Sequence, residues 1–295
     1  MKILISGGTG FVGQRLVRKL SFDHELYLLT RSTEKAKKLF SENTCSRLNF
    51  IEWSNLNTEF NLSTYGKMDA VINLIGENIA SKKWSNEQKK ILFNSRIDST
   101  KTIILSLKKN QKSLDHFIST SAVGIYTEGF LHKLCTAWEK AIVSEDSNFI
   151  KRSCILRVGM VIGKNGGAMQ KILPPFRAGL GGKLASGLQW MSWVHVEDLA
   201  NMYIEVLKNS SFNGAINAVS PFSIKNIEFT EVLGKILRKP TRLSVPIFVL
   251  KLTMGEMSSI VLDSIKVEPK ELKKNKFHYL YPTIELAIKD VVSKK

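Results

Sequence analysis

Cysteine is scarce in this chain of 295 residues: Cys45, Cys135 and Cys154 are all there is. Their odd number, wide spacing and lack of any CxxC pair exclude a disulfide framework and a cysteine-built zinc site. Long apolar runs are missing as well. None approaches the roughly 18–20 residues that a bilayer-spanning helix needs. Met1–Ile5 runs straight into a strand without the charged, apolar and cleavage regions of a secretory signal, so a cytoplasmic setting is expected. Internal repeats and low-complexity tracts are absent. Acid is in short supply too, with 26 Asp and Glu against 43 Lys and Arg and a formal charge of +17. The lysines form short clusters, as at Lys35-Ala36-Lys37-Lys38, Lys89-Lys90 and Lys108-Lys109, mostly on predicted helices. Runs of this kind ordinarily solvate a helix face. Their functional residue is a mild attraction for phosphorylated small molecules. Neither specific nucleic-acid recognition nor a membrane partner is expected, and the oligomeric state is not legible.

What is present suits a globular fold, with 43% hydrophobic and 23% charged residues. Short apolar strands are predicted at Lys2–Ser6, Glu25–Thr30, Leu48–Ile51, Ala70–Leu74, His116–Thr120 and Ser153–Arg157. Helices are predicted between them at Val12–Leu20, Thr33–Glu42, Asn86–Lys109 and Phe130–Glu145. This alternation implies βαβ units and an α/β, Rossmann-like, doubly wound parallel sheet. After Gly159 the pattern changes. Seven glycines fall between Gly163 and Gly187, and the stretch reads as loops around a short helix. A helix at Glu197–Lys208, a strand at Ala215–Ala218 and a helix at Ile227–Leu237 follow. Pro240, Pro246, Pro269 and Pro282 then punctuate short helices. The expected organisation is a nucleotide-binding domain over 1–235, with a smaller substrate-side lobe within 159–192, and an α-rich carboxy-terminal domain over 240–293.

The run Gly7-Gly8-Thr9-Gly10-Phe11-Val12-Gly13 follows the first strand and opens the first helix. That is the context a dinucleotide fingerprint requires. Gly7 permits the tight turn, Gly10 the approach of the pyrophosphate, and Gly13 close packing of helix on sheet. The phosphates then meet the free N–H groups and positive dipole end of the helix. An NAD site usually ends its second strand with a carboxylate for the ribose 2′-hydroxyl. This chain has Leu29-Thr30-Arg31-Ser32 instead. Arg31 suits a 2′-phosphate, so NADP(H) is expected over NAD(H). The competing reading of Arg31 is an ordinary surface arginine at a strand end.

These segments resemble the short-chain dehydrogenase/reductase superfamily in its extended, epimerase/dehydratase-like form. Asn73-Leu74-Ile75-Gly76 resembles the segment after its fourth strand, Ser119-Thr120-Ser121-Ala122-Val123 its serine segment, and Trp193-Val194-His195-Val196-Glu197-Asp198-Leu199 a motif of extended members. Asn94-Ser95-Arg96, Gly166-Gly167-Ala168, Leu173-Pro174-Pro175-Phe176 and Gln189–His195 together resemble one atypical branch. Its members carry sugar-nucleotide epimerase-like or older cell-division-inhibitor-like names and a small helical carboxy-terminal domain. The resemblance implies that Gly7, Thr9, Gly10, Phe11, Val12, Gly13, Arg31, Leu74, Gly76 and Arg157 hold the cofactor. Arg96 and Arg157 are also candidates for anionic groups of the substrate, or for anchoring loops.

The superfamily's catalytic logic needs a tyrosine and, four residues later, a lysine on one helix face. Here those positions are Cys135 and Glu139. Lys140 comes one residue too late, about 100° around the helix. Tyr126 has no lysine behind it, and only about four residues, Thr127–Phe130, link it to the next helix. The candidates left for chemistry are Ser121, to bond a substrate oxygen; Cys135, as proton donor or inert buried thiol; and Glu139, as acid or base or as a plain surface carboxylate. His195, Trp190 and Trp193 are readable either as site residues or as structural ones. No metal site is expected. Two functional readings follow. One is an NADP(H)-binding oxidoreductase or epimerase-like enzyme with a non-standard active site. The other is a non-catalytic dinucleotide-binding sensor or scaffold.

Overall fold

Strands too apolar to face water, joined by helices with one apolar stripe, leave a layered α/β arrangement as the way to bury both. The computed structural model describes residues 1–144 and 148–293. Strand β1 (Lys2–Ser6) leads into α1 (Phe11–Leu20), β2 (Glu25–Thr30), α2 (Thr33–Lys37), α3 (Glu42–Cys45) and β3 (Leu48–Glu52). Then come β4 (Ala70–Asn73), α4 (Asn86–Asn110), β5 (Leu114–Ala122), α5 (Gly129–Ser144) and β6 (Ile150–Val158). Next are β7 (Met160–Ile162), α6 (Met169–Arg177), β8 (Gly182–Leu184), β9 (Trp190–Met191) and β10 (Trp193–His195). They are followed by α7 (Val196–Lys208), β11 (Gly214–Ala218), β12 (Ile224–Lys225), α8 (Asn226–Leu237) and β13 (Leu243–Val245). Short helices close the chain: α9 (Ile247–Met254), α10 (Ser259–Leu262), α11 (Lys270–Lys274) and α12 (Ile284–Val292).

Seven strands form one sheet in the order β11-β6-β5-β4-β1-β2-β3. β1 pairs in parallel with β2 on one side and β4 on the other, with Ile5 opposite both Leu28 and Ile72. The chain therefore reverses its winding at β1, as a doubly wound sheet does, and ligands of such sheets collect at the carboxyl ends flanking that switch. Ile3, Leu4 and Ile5 are fully buried, as are Val71 and Ile72. Leu16, Val17 and Leu20 turn the apolar stripe of α1 inward.

The chain groups into two compact units. The first contains Met1–Ile79, Lys89–Leu156 and Ala200–Ile216; the second contains Ala80–Gln88, Arg157–Leu199 and the chain from Asn217 onward. The second has its own core, in which Ile162, Met169 and Phe176 meet Trp193, Phe229 and Ile288. The glycine-rich segment and the last helix thus share one apolar centre.

Three local expectations change. The predicted helix Thr33–Glu42 ends at Lys37 instead, with Ala36 its one buried residue; a helix this short gains little from propensity against its nucleation cost. The predicted helix Phe130–Glu145 is α5, which starts at Gly129; Glu145 lies outside the described residues. The region predicted as loops after Gly159 holds short strands whose partners are remote in sequence. β7 pairs with β10, β8 with β13, and β9 with β12.

One buried polar contact in the first unit sets up a stability test. Arg152 on β6 donates to the carbonyls of Val206 (2.9 Å), Leu207 (3.0 Å) and Phe212 (2.9 Å). These include the last carbonyls of α7, which have no partners within the helix. Arg152 Nε also donates to His116 Nδ1 at 3.2 Å. Burial, then the nearby guanidinium, lower the His116 pKa from its usual value. Arg152→Met should destabilise the protein by about 3 kcal/mol, since it leaves several buried acceptors unpaired. Urea unfolding would read the loss, and an unchanged midpoint would refute the capping role.

Candidate active site

At the end of β1 the chain turns on Gly7, whose φ is +71°. A Cβ there would lie 2.8 Å from the carbonyl carbon and oxygen of Leu74. Gly7 is therefore required both by its left-handed backbone and by the close passage of the chain leaving β4. The Gly10 N–H donates to Gly7 O at 3.0 Å, which closes the turn. Gly10 is also the N-cap of α1, and no side chain caps this helix. A Cβ on Gly10 would meet only Gly7 O, at 3.2 Å, and otherwise open space. Gly13 is the tightest of the three. Its Cβ would stand 2.2 Å from Gly7 O and 2.7 Å from Gly8 Cα. The close packing expected of Gly13 is thus against the turn itself.

Around this turn lie Thr9, Phe11, Val12, Leu74 and Gly76 of the predicted cofactor residues. Thr9 O accepts from Gln14 Nε2 at 2.9 Å. Phe11 and Val12 are half-buried in the first turn of α1. The Arg15 guanidinium lies 4.4 Å above the Phe11 ring and bonds Phe11 O at 2.8 Å. Leu74 N–H donates to Ser6 O at 3.1 Å. Asn73 locks the two strand ends: its Oδ1 accepts from Ser6 Oγ at 2.6 Å, and its Nδ2 donates to Thr100 Oγ1 at 2.9 Å. At Gly76 a Cβ would meet the Arg96 guanidinium at 3.1 Å. Arg31 follows the end of β2, one strand over from β1, and is exposed with its side chain bonded to no described residue. Beside it, Ser32 Oγ accepts from Lys35 N–H at 3.4 Å and starts α2. Arg157, the remaining predicted residue, is half-buried on β6 and belongs to the second unit.

The three candidate catalytic residues also meet. Cys135 and Glu139 lie four residues apart on α5 and so share a face. Ser121, buried near the end of β5, donates to Glu139 Oε1 at 2.7 Å. Burial pushes the Cys135 thiol up to about 11, against the opposing pull of the Ala122 backbone and Arg96. At neutral pH that thiol is protonated and inert, the structural reading of Cys135. Arg96 bonds Glu77 O at 2.8 Å and Leu92 O at 3.0 Å, and its guanidinium lies 5.1 Å from the Trp138 ring. Desolvation lowers its pKa to about 10, so it stays charged at neutral pH. It anchors the loop after β4. Tyr126 ends a single 3-10 turn, Val123–Tyr126, and its side chain is largely exposed. Only Thr127 and Glu128 separate it from α5, a still shorter link than the sequence suggests.

Sequence reading missed Tyr203. Its hydroxyl lies 2.6 Å from Thr120 Oγ1, which donates to Asn73 O at 3.0 Å. No motif signals this pair, because its members stand 83 residues apart. Complete burial pushes the Tyr203 phenol well above its usual value, so it is a structural hydroxyl. In the second unit His195 is buried, with Nδ1 accepting from Glu197 N–H and Nε2 3.3 Å from Asp290 Oδ2. Its ring centre lies 3.8 Å from that of Tyr281. Asp198 accepts from the N–H groups of Leu280 and Tyr281 at 2.7 and 2.9 Å. Trp193 sits in the core, its indole bonding Phe222 O at 2.9 Å. Trp190 carries the Lys266 ammonium 4.3 Å from its ring centre.

Residues 3–218 match the NAD dependent epimerase/dehydratase family. The chain belongs to that family. Residues 245–291 match a domain of unknown function, DUF1731. The epimerase family protein SDR39U1 homolog, chloroplastic, of Arabidopsis thaliana is 33% identical over 99% of this chain and 87% of its own. The crystal structure of the human epimerase family protein SDR39U1 (isoform 2), solved with NADPH, superposes with a TM-score of 0.85. It is 28% identical, and the match covers 99% of each chain. UDP-glucuronic acid 4-epimerase from Bacillus cereus, solved with UDP-glucuronic acid and NAD, shares the fold at a TM-score of 0.78 and 18% identity, over 99% of this chain and 98% of that one. No helix among the described residues is long and apolar enough to cross a membrane. No described group of three His, Cys, Asp or Glu is placed to hold a metal ion.

Proposed function

We propose that this family member binds NADP(H) and performs oxidoreduction or epimerase-type chemistry on a small molecule, with Ser121 and Glu139 replacing the usual tyrosine and lysine. The 2.7 Å bond from Ser121 Oγ to Glu139 Oε1 carries this reading. The residues present fit the cofactor. The Gly7–Gly13 turn leaves room where a Gly10 Cβ would stand, α1 begins without a side-chain cap, and Arg31 is exposed with its side chain unbonded. Phosphates suit the first N–H groups of α1, on Phe11, Val12 and Gly13. Arg31 suits the 2′-phosphate.

The nicotinamide supplies one property when bound: it takes up a hydride from a carbinol carbon, or returns one to a carbonyl. The protein handles the matching proton. Because the Ser121 proton is committed to Glu139, its oxygen is an acceptor for a substrate hydroxyl. As that hydroxyl gives its proton to Ser121, Ser121 passes its own to the Glu139 carboxylate. One proton then rests on Glu139 while the carbon is oxidised, and the reverse sequence restores the alcohol. Nucleoside-diphosphate sugars are the first substrates to test, since the Bacillus cereus neighbour was solved with UDP-glucuronic acid. The very short Thr127–Glu128 link supports the alternative of a sensor that binds the cofactor without turnover.

Cofactor fluorescence titration tests the shared foundation. Arg31→Ala should weaken NADPH about tenfold or more, the worth of a charge-assisted hydrogen bond, and leave NADH within about twofold. Equal losses would remove Arg31 from the site. Tight NADPH binding with no oxidation or reduction across a panel of nucleotide sugars and carbonyls would favour the sensor. Failure to bind either dinucleotide would overturn both readings.

A further inference from the structure

Two stretches of the chain, lying mostly in the second unit, carry charge of one sign only. No Asp or Glu occurs between Asp146 and Glu197, and none between Glu231 and Glu256. The fold makes them neighbours. β13 pairs with β8, placing Leu243 opposite Gly182 and Ser244 opposite Lys183. A Cβ on Gly182 would lie 2.1 Å from Leu243 O, and one on Gly179 would reach Pro240 at 4.0 Å. Arg177, Arg238, Lys239, Arg242 and Lys251 are all exposed, and Lys183 is half-exposed. None of their side chains is paired with a described carboxylate.

Large apolar side chains stand among these cations. On α9 the buried residue is Leu250, which leaves Phe248 and Leu252, four residues apart, together on the opposite face, with Lys251 beside them. Phe248 is 70% exposed and Leu252 79%. Leu180, at 64%, and Leu243, at 50%, are also exposed, Leu180 just before β8 and Leu243 on β13. Scattered exposed leucines need no explanation, but exposed apolar side chains set among an excess of cations, with Glu256 after α9 as the nearest carboxylate in sequence, do.

We infer that this face docks on an anionic lipid surface, with Phe248 and Leu252 entering the acyl boundary and the arginines and lysines meeting the headgroups. Charge decides the occupant. A second copy of this face would bring cations against cations. Nucleic acid would use the basic residues but leave Phe248 and Leu252 without a role. A negatively charged membrane surface uses both, since interfacial binding sums buried apolar area and attraction to anionic lipid. Such docking is peripheral and needs no spanning helix.

Vesicle co-sedimentation of the full chain tests this. Vesicles of phosphatidylcholine mixed with phosphatidylglycerol should pull the protein down, and vesicles of phosphatidylcholine alone should not. Raising the salt should release it. Phe248→Asp combined with Leu252→Asp should cut the partition at least tenfold. Arg238→Gln, Lys239→Gln and Arg242→Gln together should cut it about a hundredfold. Because these side chains are exposed, both variants should keep the parent melting temperature, which shows that a loss is not unfolding. No sedimentation with the mixed vesicles, equal sedimentation with neutral ones, or undiminished binding of the Phe248/Leu252 variant would overturn the inference. So would a dimer seen by analytical ultracentrifugation that these substitutions dissolve while vesicle binding is absent.

Discussion

Glu139→Gln is expected to lower turnover by about 10²–10⁴-fold, the usual worth of a positioned acid or base. NADPH affinity should stay within about twofold. The amide can still accept the Ser121 hydrogen bond, which measures 2.7 Å to the carboxylate oxygen, so the geometry survives. What is lost is the ability to take a proton. Ser121→Ala removes the other half of the same relay. Its effect should be of similar size, and the double variant should be barely worse than either single one, because residues acting as one unit are not additive. The measurement is cofactor absorbance with the best substrate of the panel, alongside NADPH titration of each variant. If both single variants turn over at the parent rate, the relay is wrong. Cys135 provides a control: its thiol is protonated at neutral pH, so Cys135→Ser should cost little beyond packing.

The second large effect belongs to the glycine turn, and its three positions should separate. Gly13→Ala is expected to abolish dinucleotide binding and to destabilise the protein by about 3 kcal/mol, the upper end for overpacking. The added methyl would stand 2.2 Å from Gly7 O, a backbone atom that cannot give way without opening the turn. Gly10→Ala should behave differently. Its Cβ meets nothing nearer than Gly7 O at 3.2 Å, so stability should change little while NADPH affinity falls, because the methyl would occupy the place of the pyrophosphate. Thermal melts and fluorescence titration of the two variants check this together. Equal destabilisation by both would refute the division of labour. So would full NADPH binding by Gly10→Ala.

Much of the fold was legible because its signals are local. Each sheet strand shows as a short apolar run, and β1 and β2 agree with their predicted limits residue for residue. The glycine turn was legible for the same reason: turn, helix start and strand end lie within a dozen residues. Where local signal was weak, reading failed. α2 is shorter than its lysine-rich periodicity suggested because a segment with so little apolar face has no packing to offset the cost of helix nucleation. The short strands β7 to β10 escaped notice because each is only two or three residues long and has no register without its distant partner.

The sequence by itself determined the alternation of strand and helix, the glycines that only that turn can use, the absence of a tyrosine–lysine pair, and the excess of positive charge. These are one-dimensional properties, set by residue type and spacing. Only the tertiary structure decided that Ser121 bonds Glu139, that Arg96 is spent on the carbonyls of Glu77 and Leu92, and that Tyr203 closes on Thr120. It also decided that β8 and β13, some sixty residues apart in two acid-free stretches, pair in parallel. Hydrogen bonds reach about 3 Å and side-chain packing about 4 Å. Contacts of that range between residues remote in the chain exist only once the backbone has brought them together.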